Sequence, residues 1–436
     1  MNILKKIFIS LNIIFSFTLI ILILYKSEIV FDGTNRNYYL KYYLFSFSYL
    51  FLSIFVFRIN QTANKILNLS KLCIILSFYL FEFYLSKKIY SEKNLDIKIK
   101  KYKKFSGKDW DRRSQYQVYR ELLKTNKDAV PYFYPSELNI ENKFKIHSLA
   151  GVSNSLTVFC NENGYYSINS SDRYGFNNPD VEWDAKVIDY VFVGDSLTHG
   201  YCVNRPHDIP SVIRKNYNQT VLNLGYGRNG PLIEYATLRE YLPTKAKKIV
   251  FIYYEGNDLE NLNQELKNNI LLKYIEDENF SQNLKDKQSL IDNEKQKHIS
   301  ARSNGEKYKY IKLTKTRKLI SQFLKKELDS NNQNINYKKN NLKELEKILF
   351  LSKKLVLKNK KDFYFVYLPS IDRYFKKESS SDELFYFDEI KFIVNKLNIN
   401  FIDINKEVFE KEQNPLKLFP FELYAHYNIE GYKKVA

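Results

Sequence analysis

Between Val187 and Ile404, short apolar runs alternate with segments of helical periodicity, and this alternation constrains the fold more than any other feature. Such a pattern favours an α/β fold in which a parallel sheet is covered by helices on both faces. Functional loops then gather at the carboxyl ends of the strands. The pattern predicts strands at Val187–Val193, Thr220–Leu224, Lys248–Tyr254, Phe363–Leu368 and Asn400–Ile404, and helices at Pro210–Asn216, Pro231–Tyr241, Asn341–Asn359 and Leu384–Leu397.

A long polar segment, residues 259–340, interrupts this alternation directly after Asn257 and is rich in Lys, Asn, Glu and Gln. So long a connection inside a compact domain is usually functional or mobile. We expect a partly helical insertion. A lid over a substrate and a solvated excursion both fit the composition.

Residues 1–90 contain three apolar runs, at 7–24, 42–57 and 72–86, and are predicted to form a membrane region with about three transmembrane helices. The first run follows Lys5 and Lys6 and is long enough to span a bilayer. A cleaved signal peptide needs small residues at its cleavage site, yet the first alanine is Ala63, so an uncleaved anchor is favoured. The third run contains Glu82, which we expect near the membrane interface because Lys87 and Lys88 follow closely.

The positive-inside rule keeps Lys5 and Lys6 in the cytoplasm, so three spans would place everything after Ser86 outside it. If the third run lies only on the membrane surface, the rest of the chain is cytoplasmic instead. Residues 91–186 are predicted to be a linker and accessory segment, beginning with a lysine-rich linker to Gly107 and a helix in Asp109–Lys127.

The 68 Lys and Arg outnumber the 49 Asp and Glu, for a formal net charge of +19. The lysines are spread over the whole chain and no nucleic-acid module stands out, so nucleic acid is not an expected partner. No Cys-x-x-Cys pair exists, which argues against a zinc site. Cys160 and Cys202 can form a disulfide in an oxidising compartment or remain two buried thiols.

Four separated motifs supply the groups that acyl transfer needs. A serine that follows a buried strand at the mouth of a turn is placed as a nucleophile. A downstream asparagine and histidine supply an oxyanion donor and a base. The motifs are Val193-Gly194-Asp195-Ser196-Leu197, Asn223-Leu224-Gly225-Tyr226-Gly227, Glu255-Gly256-Asn257-Asp258 and Ala425-His426-Tyr427-Asn428.

In this order the motifs resemble the GDSL, or SGNH, hydrolase superfamily of esterases and acetyl transferases, and the resemblance covers residues 187–436. It implies a three-layer α/β/α, flavodoxin-like parallel sheet that needs neither a cofactor nor a metal. Ser196 would be the nucleophile and His426 the base. The oxyanion would be stabilised by the Ser196 N–H, by a backbone N–H of the Gly227–Arg228 turn and by the Asn257 side chain.

The sequence departs from the family pattern at two positions. Arg228 stands where the family usually has a glycine, and its side chain could meet an anionic substrate group. Leu423 stands where the family usually has an aspartate that orients the histidine. Glu422 is the predicted replacement, and a backbone carbonyl is the alternative.

With membrane spans ahead of such a domain, the chain resembles enzymes of surface-polysaccharide acylation. The resemblance implies an esterase or O-acyltransferase in the cytoplasmic membrane, facing the exterior, that acts on acyl esters of a cell-surface glycan through an acyl-serine. Its partners would be the lipid bilayer and a membrane-embedded acyl donor. A non-catalytic glycan-binding or assembly protein with this fold is the alternative. The fold normally closes with a longer helix than Asn428–Ala436, so a fragment and a complete chain are both open interpretations of the sequence.

Two further features have a structural and a functional interpretation. His199 is placed to reach the pocket or to support its rim. The segment Asp172–Asp180 either packs as an edge on the catalytic domain or stacks a carbohydrate on Tyr174 and Phe176.

Overall fold

The computed structural model describes residues 3–30, 36–55, 61–88, 95–135, 146–307, 313–326, 334–375 and 386–436. The chain divides into two compact units, Met1–Lys87 with Tyr310–Lys318, and Lys88–Lys309 with Leu319–Ala436. The helices are α1 Ile3–Leu24, α2 Arg36–Phe55, α3 Gln61–Lys88, α4 Leu95–Ser106, α5 Gln115–Leu122, α6 Ser196–His199, α7 Ile209–Tyr217, α8 Pro231–Tyr241, α9 Asp258–Glu265, α10 Asn269–Glu276, α11 Gln288–Lys307, α12 Thr314–Lys326, α13 Asn334–Lys358, α14 Asp372–Phe375, α15 Phe387–Lys396, α16 Ile404–Glu407 and α17 Ile429–Val435.

The first unit is built from α1, α2 and α3, which contain the three predicted apolar runs. Among the described residues, one helical stretch, Asn12–Ile29, is long and apolar enough to cross a membrane, and the apolar part of α3, Cys73–Ser86, is shorter. The Tyr49 hydroxyl donates to Asn12 Oδ1 at 2.5 Å and joins α2 to α1. The prediction of a first span is therefore supported, whereas the second and third remain predictions.

Glu82 is buried within the first unit, with 2 % of its surface exposed. Its carboxylate accepts hydrogen bonds from the Lys315 and Thr316 N–H groups and from the Thr316 hydroxyl, at 2.8 to 3.0 Å. These N–H groups belong to the first turn of α12 and have no partner within that helix. The acid in the third apolar run thus caps a helix of the predicted insertion.

The second unit contains a five-stranded and a three-stranded sheet. The five-stranded sheet is parallel throughout, with the order β5-β4-β6-β7-β8. The prediction of an α/β fold with a parallel sheet is confirmed, and the strand order is the 2-1-3-4-5 order of flavodoxin-like sheets. The strands are β1 Ala129–Pro131, β2 Leu156–Val158, β3 Ile168–Ser170, β4 Ile188–Val193, β5 Val221–Asn223, β6 Ala246–Tyr254, β7 Asp362–Leu368 and β8 Asn400–Asp403.

Apolar side chains alternate between the two faces of this sheet, and helices pack against each face. Val191, Phe251 and Phe365 belong to one buried cluster, together with side chains of α8, α13 and α15. Phe192 and Val250 belong to a second cluster, together with side chains of α7, α16 and α17. Each fully buried side chain of this size contributes about 1.5–3 kcal/mol relative to exposure. The sheet therefore gives a rigid base to the loops at its ends.

Residues 91–94 of the lysine-rich segment predicted as a linker lie outside the described residues, and its described part contains α4. Lys98 Nζ donates to the Tyr424 carbonyl at 3.0 Å, and Lys101 Nζ donates to the Phe421 carbonyl at 2.6 Å. The sequence suggests that these two lysines are solvent-exposed charges, but they donate hydrogen bonds to the loop that precedes His426.

The remaining accessory residues belong to the same compact unit as the five-stranded sheet. The three-stranded sheet pairs β2 with β1 in parallel and with β3 in antiparallel orientation. Within Asp172–Asp180, Phe176 is fully buried against Tyr241, with ring centroids 5.1 Å apart. Asn178 exchanges hydrogen bonds with the backbone of Asn223. This segment therefore packs as an edge on the sheet, as the structural interpretation predicted.

Candidate active site

Ser196 begins α6, immediately beyond the carboxyl end of β4, and is 6 % exposed. The turn between them needs Gly194, because a Cβ there would lie 2.0 Å from Thr198 Oγ1. Asp195 caps α6 by accepting from the Leu197 N–H at 2.9 Å. The strand and the tight turn thus fix the position of the serine hydroxyl.

The structure brings His426 to this serine from a loop far along the chain. His426 Nε2 lies 3.0 Å from Ser196 Oγ. On the other side of the ring, Nδ1 lies 3.0 Å from Glu162 Oε1 and 3.1 Å from Oε2, and the His426 backbone N–H donates to Oε2 at 2.8 Å. A carboxylate on Nδ1 favours the tautomer in which Nε2 is free to accept the serine proton.

The charges of the histidine and the carboxylate stabilise each other. For His426, burial alone would lower the pKa, but the charge and hydrogen bonding of Glu162, with the charge of Asp195, raise it overall. For Glu162, burial alone would raise the pKa, but His426 and the charge of Lys98 lower it overall. About a quarter of each side chain is exposed, 25 % for His426 and 23 % for Glu162. The pair thus favours an ionised acid beside a basic imidazole.

Glu162 takes the place that the sequence interpretation gave to Glu422, and that prediction is wrong. The Glu422 carboxylate instead accepts from Asn414 Nδ2 at 3.2 Å. Glu422 and its neighbour Phe421 have positive φ angles, 58° and 59°, so the backbone bends sharply just before the histidine loop. A residue one position away from the family's aspartate therefore does not orient the ring.

A disulfide links the segment carrying Glu162 to the segment carrying Ser196. Cys160, two residues before Glu162, is bonded to Cys202, six residues after Ser196. Asn163 Nδ2 also donates to the Cys202 carbonyl at 2.9 Å. Of the two alternatives left open by the sequence, the structure has the disulfide, and it joins the acid to the nucleophile's loop.

Ser196 Oγ has a second neighbour that accepts hydrogen bonds. Asp195 Oδ2 lies 3.0 Å from it, the same distance as His426 Nε2. The Asp195 carboxyl is fully buried, and burial raises its pKa despite hydrogen bonds from the Leu197 and Ser196 backbone and the charge of His426. The hydroxyl therefore lies between the base and an aspartate that also shapes the turn.

Three parallel strands deliver the predicted oxyanion donors to one edge of the sheet. β4 lies between β5 and β6, with Phe192 paired to Asn223 and Val193 paired to Phe251. Ser196, the turn after Asn223 and Asn257 leave the ends of these neighbouring strands. Within the described residues, the buried Asn257 Oδ1 has no hydrogen-bond partner, and the side chain does not cap α9. The donor that an oxyanion needs is the other polar atom of this carboxamide, Nδ2.

The turn after β5 offers a different donor from Gly227. The Gly227 N–H donates to the Tyr132 hydroxyl at 3.1 Å, so within the predicted Gly227–Arg228 turn Gly227 is not the oxyanion donor. Arg228 follows with a φ of 64°, the left-handed region that glycine favours, which accounts for the glycine in the family pattern. Among the described residues its N–H has no hydrogen-bond partner. Arg228 is the better candidate in this turn.

Glu265, at the end of α9, holds the same turn. Its carboxylate accepts from the Gly230 N–H at 2.6 Å and from the Leu232 N–H at 3.0 Å, at the start of α8. Burial raises the Glu265 pKa to about 7, although these hydrogen bonds lower it. Asn261 Nδ2 also donates to the Asn229 carbonyl at 3.3 Å, so the helix that begins after Asn257 is fastened to the turn containing Arg228.

Tyrosines line the side of the site near the histidine. The Tyr201 ring lies against His426, with centroids 4.6 Å apart. The Tyr201 hydroxyl is 3.0 Å from that of Tyr134, and the Arg228 guanidinium stacks 3.9 Å from the centre of the Tyr134 ring. His199 is buried against Phe159, with centroids 4.6 Å apart, and burial, with the charge of Arg205, lowers its pKa to about 3. His199 therefore supports the site from below and does not reach a substrate.

One group of potential metal ligands occurs among the described residues, and it consists of Glu162, Cys202 and His426. The Cys202 sulfur is bonded to Cys160, so it is not a thiolate. The other two are paired with each other. These three residues do not fit a metal site.

No protein-family model matches the chain, and no curated protein matches it. One solved structure that resembles it is that of a "putative lipolytic protein of G-D-S-L family from Desulfitobacterium hafniense DCB-2". The identity is 13 % and the TM-score 0.31, over 57 % of this chain and 94 % of that chain. A likeness of this size carries no argument about this chain.

Glu162 is the candidate site residue that the sequence reasoning missed. It precedes Ser196 in the chain, whereas the family places its acid next to the histidine. The one signal pointing to it was the pair of cysteines, because a bridge from Cys160 to Cys202 brings the upstream segment to the rim of the site.

Proposed function

We propose that this protein is a serine esterase or O-acyltransferase of the GDSL/SGNH type, anchored in the cytoplasmic membrane with its catalytic unit outside the cytoplasm. The observation that carries the proposal is the continuous set of contacts from Ser196 Oγ to His426 Nε2 and from His426 Nδ1 to Glu162. This is the arrangement of nucleophile, base and orienting acid that defines a serine hydrolase triad.

In the first half of the reaction, Ser196 Oγ forms a bond to the acyl carbon of an ester while its proton moves to His426 Nε2. The negative charge that develops on the carbonyl oxygen is stabilised by the Asn257 carboxamide and the Arg228 N–H. When the tetrahedral intermediate collapses, the ester C–O bond breaks and His426 returns the proton to the leaving alkoxide. Glu162 stabilises the imidazolium and holds the ring throughout.

In the second half, an acceptor hydroxyl attacks the acyl-serine, with His426 taking its proton and returning it to Ser196 Oγ. Water as acceptor gives a carboxylic acid and makes the protein an esterase. A sugar hydroxyl gives a new ester and makes it an O-acyltransferase. We propose acyl esters of a cell-surface glycan as substrates, because an anchored catalytic unit outside the cytoplasm faces such polymers.

The orientation is supported by charge and by the disulfide. Lys5 and Lys6 precede the apolar stretch Asn12–Ile29, so the positive-inside rule places the chain outside the cytoplasm after one span or after three. Disulfides such as Cys160–Cys202 persist mainly in oxidising compartments. Large apolar side chains are exposed along the first unit, such as Phe51 at 71 %, which is favourable only against lipid or another protein.

The test is labelling of the detergent-solubilised full chain by a fluorophosphonate, together with release of acetate from an activated acetyl ester. Wild type is expected to be labelled and to turn over the ester. Ser196→Ala should lose both while keeping its circular dichroism spectrum, and Ser300→Ala, at an exposed position in α11, should keep both. Absence of labelling and turnover in the folded wild type would reject the enzyme and leave the non-catalytic interpretation.

A further inference from the structure

Arg228 has an unusual environment for an arginine. Its backbone is in the left-handed region, with a φ of 64°, and this conformation is uncommon for residues other than glycine. The side chain is exposed, and its guanidinium lies 3.9 Å from the centre of the Tyr134 ring. Among the described residues, no carboxylate lies within ion-pairing distance of it. An unfavourable backbone conformation thus carries a cation with no acidic partner in that part of the chain.

The aromatic contact fixes the orientation of this cation. A guanidinium stacked on a ring has one face covered, while its N–H groups remain directed outward in its plane. The planar fork of donors matches the two oxygens of a carboxylate or a phosphate. The stacked side chain is therefore prepared to bind an anion without first being ordered.

Contacts of its side chain and of its backbone connect Arg228 to the proposed reacting groups. Tyr134 reaches Tyr201 through their hydroxyls, 3.0 Å apart, and the Tyr201 ring packs on His426. The Arg228 backbone lies in the turn that ends at Gly230. Glu265 and Asn261, in the helix that follows Asn257, form hydrogen bonds with this turn. The guanidinium is thus connected to His426 through Tyr134 and Tyr201, and its own backbone carries one of the proposed oxyanion donors.

We propose that the Arg228 side chain selects ester substrates that carry an anionic group near the acyl ester, a carboxylate or a phosphate. The inference rests on the proposed function and specifies the substrate class of the same site. A sugar acid or a sugar phosphate with an O-acetyl group on a neighbouring carbon has this chemistry. A neutral acetylated sugar lacks the partner for the guanidinium and binds more weakly.

The test measures binding without turnover, in a Ser196→Ala background. The ligands are O-acetylated methyl glucoside, its glucuronate counterpart and its 6-phosphate, titrated by calorimetry. We expect the charged ligands to bind about ten-fold more tightly than the neutral one, with a preference that weakens as salt is added. Arg228→Gly in the same background should bring the three affinities together. Glycine suits the left-handed backbone, so this variant removes the guanidinium without straining the turn.

One further variant separates the planar donors of Arg228 from its charge, and another is a control for surface charge. Arg228→Lys keeps the charge but loses the planar donors, so it should retain a smaller preference. Lys215→Gln removes one exposed positive charge from the last turn of α7 and should leave the preference unchanged. Equal affinities for all three ligands in the parent, or an unchanged preference after Arg228→Gly, would overturn the inference. A carboxylate-only or phosphate-only preference identifies which anion the site takes. Because binding is measured without turnover, failure of the inference is distinguishable from failure of the proposed chemistry, which the labelling experiment tests.

Discussion

The two halves of the site are held in place by different means. Ser196 and Asn257 follow neighbouring strands of a buried parallel sheet, so the register of β4 and β6 sets their positions. Glu162 and His426 lie in loops, and a disulfide, two lysine-to-carbonyl hydrogen bonds and the Glu162 carboxylate itself hold them. We call these the strand-end half and the loop half.

Because they are held differently, the two halves should respond differently to substitution. The strand-end half depends on a hydrophobic core and tolerates the loss of any one surface contact. The loop half depends on a few specific bonds, each of which can be removed by one substitution. Perturbing the loop half should therefore change the base and its pKa while leaving the nucleophile in place.

The largest effect is expected where the halves meet. His426→Ala removes the base, and kcat for an activated acetyl ester should fall by a factor on the order of 10⁴ to 10⁶. His207→Ala, which removes a partly buried imidazole from the loop before α7, should retain wild-type kcat. Near-normal turnover by His426→Ala would mean that the two halves do not cooperate in catalysis.

Loss of the acid should have the next largest effect. Glu162→Gln removes the carboxylate that orients and stabilises the imidazolium, so kcat should fall by roughly 10² to 10⁴. Because Glu162 raises the His426 pKa, its loss lowers that pKa, and the acidic limb of the kcat/KM profile should move to lower pH. Rates measured across pH for both proteins give the shift.

Glu422→Gln is the matched control for this acid. It alters the residue that the family pattern suggested, and both its rate and its pH profile should match wild type. A pH profile of Glu162→Gln that coincides with that of wild type would contradict the assignment of Glu162.

Removing the disulfide should loosen the loop half without removing a reacting group. We expect Cys160→Ser with Cys202→Ser to lower kcat roughly ten-fold, and a loop of this length to lower the free energy of unfolding by about 4 kcal/mol. Adding these changes to Glu162→Gln should cause little further loss of kcat, because the acid that they position is already absent. Cys73→Ser, at the exposed free cysteine, should change neither quantity. Additive losses would show that the bridge acts elsewhere.

The smallest effect concerns the strand-end half and its stability. Glu265 has a pKa raised from 4.5 to about 7, so its contribution is fully present below pH 4.5 and is lost as pH rises through 7. The shift corresponds to about 3 kcal/mol, since one pKa unit is about 1.4 kcal/mol. Glu265→Gln should flatten the thermal midpoint against pH in that window, and Glu276→Gln, an exposed acid of α10, should not. Parallel curves for wild type and Glu265→Gln would contradict this.

The fold of the strand-end half follows from local patterns, and for that reason the sequence predicted it well. The five expected strands form within two residues of their predicted bounds, and Pro231–Tyr241 forms one helix as expected. Parallel strands with buried faces require continuous apolar runs, and such runs are visible without tertiary information. Ser196 and Asn257 share an edge because strand direction decides where the loops meet.

The loop half depends on contacts between distant residues and was predicted poorly. Glu162 is separated from His426 by more than half the chain, and no periodicity connects them. α4 was predicted as a linker because its lysines resemble solvated charge, whereas Lys98 and Lys101 bind carbonyls of the His426 loop. The sequence does not distinguish the two N–H groups of the Gly227–Arg228 turn, because the hydrogen bond from the Gly227 N–H to Tyr132 is invisible in it.

The upstream origin of Glu162 changes what counts as the smallest active piece of this protein. A truncated version starting at Val187, where strand alternation would place the boundary, keeps Ser196 and His426 but leaves Cys202 unbridged and the imidazole without its carboxylate. We expect that piece alone to fold its sheet but to have low activity, because its histidine lacks the Glu162 carboxylate. It would then resemble a pseudoenzyme. If the proposed function is correct, residues ahead of the five-stranded sheet belong to the active site.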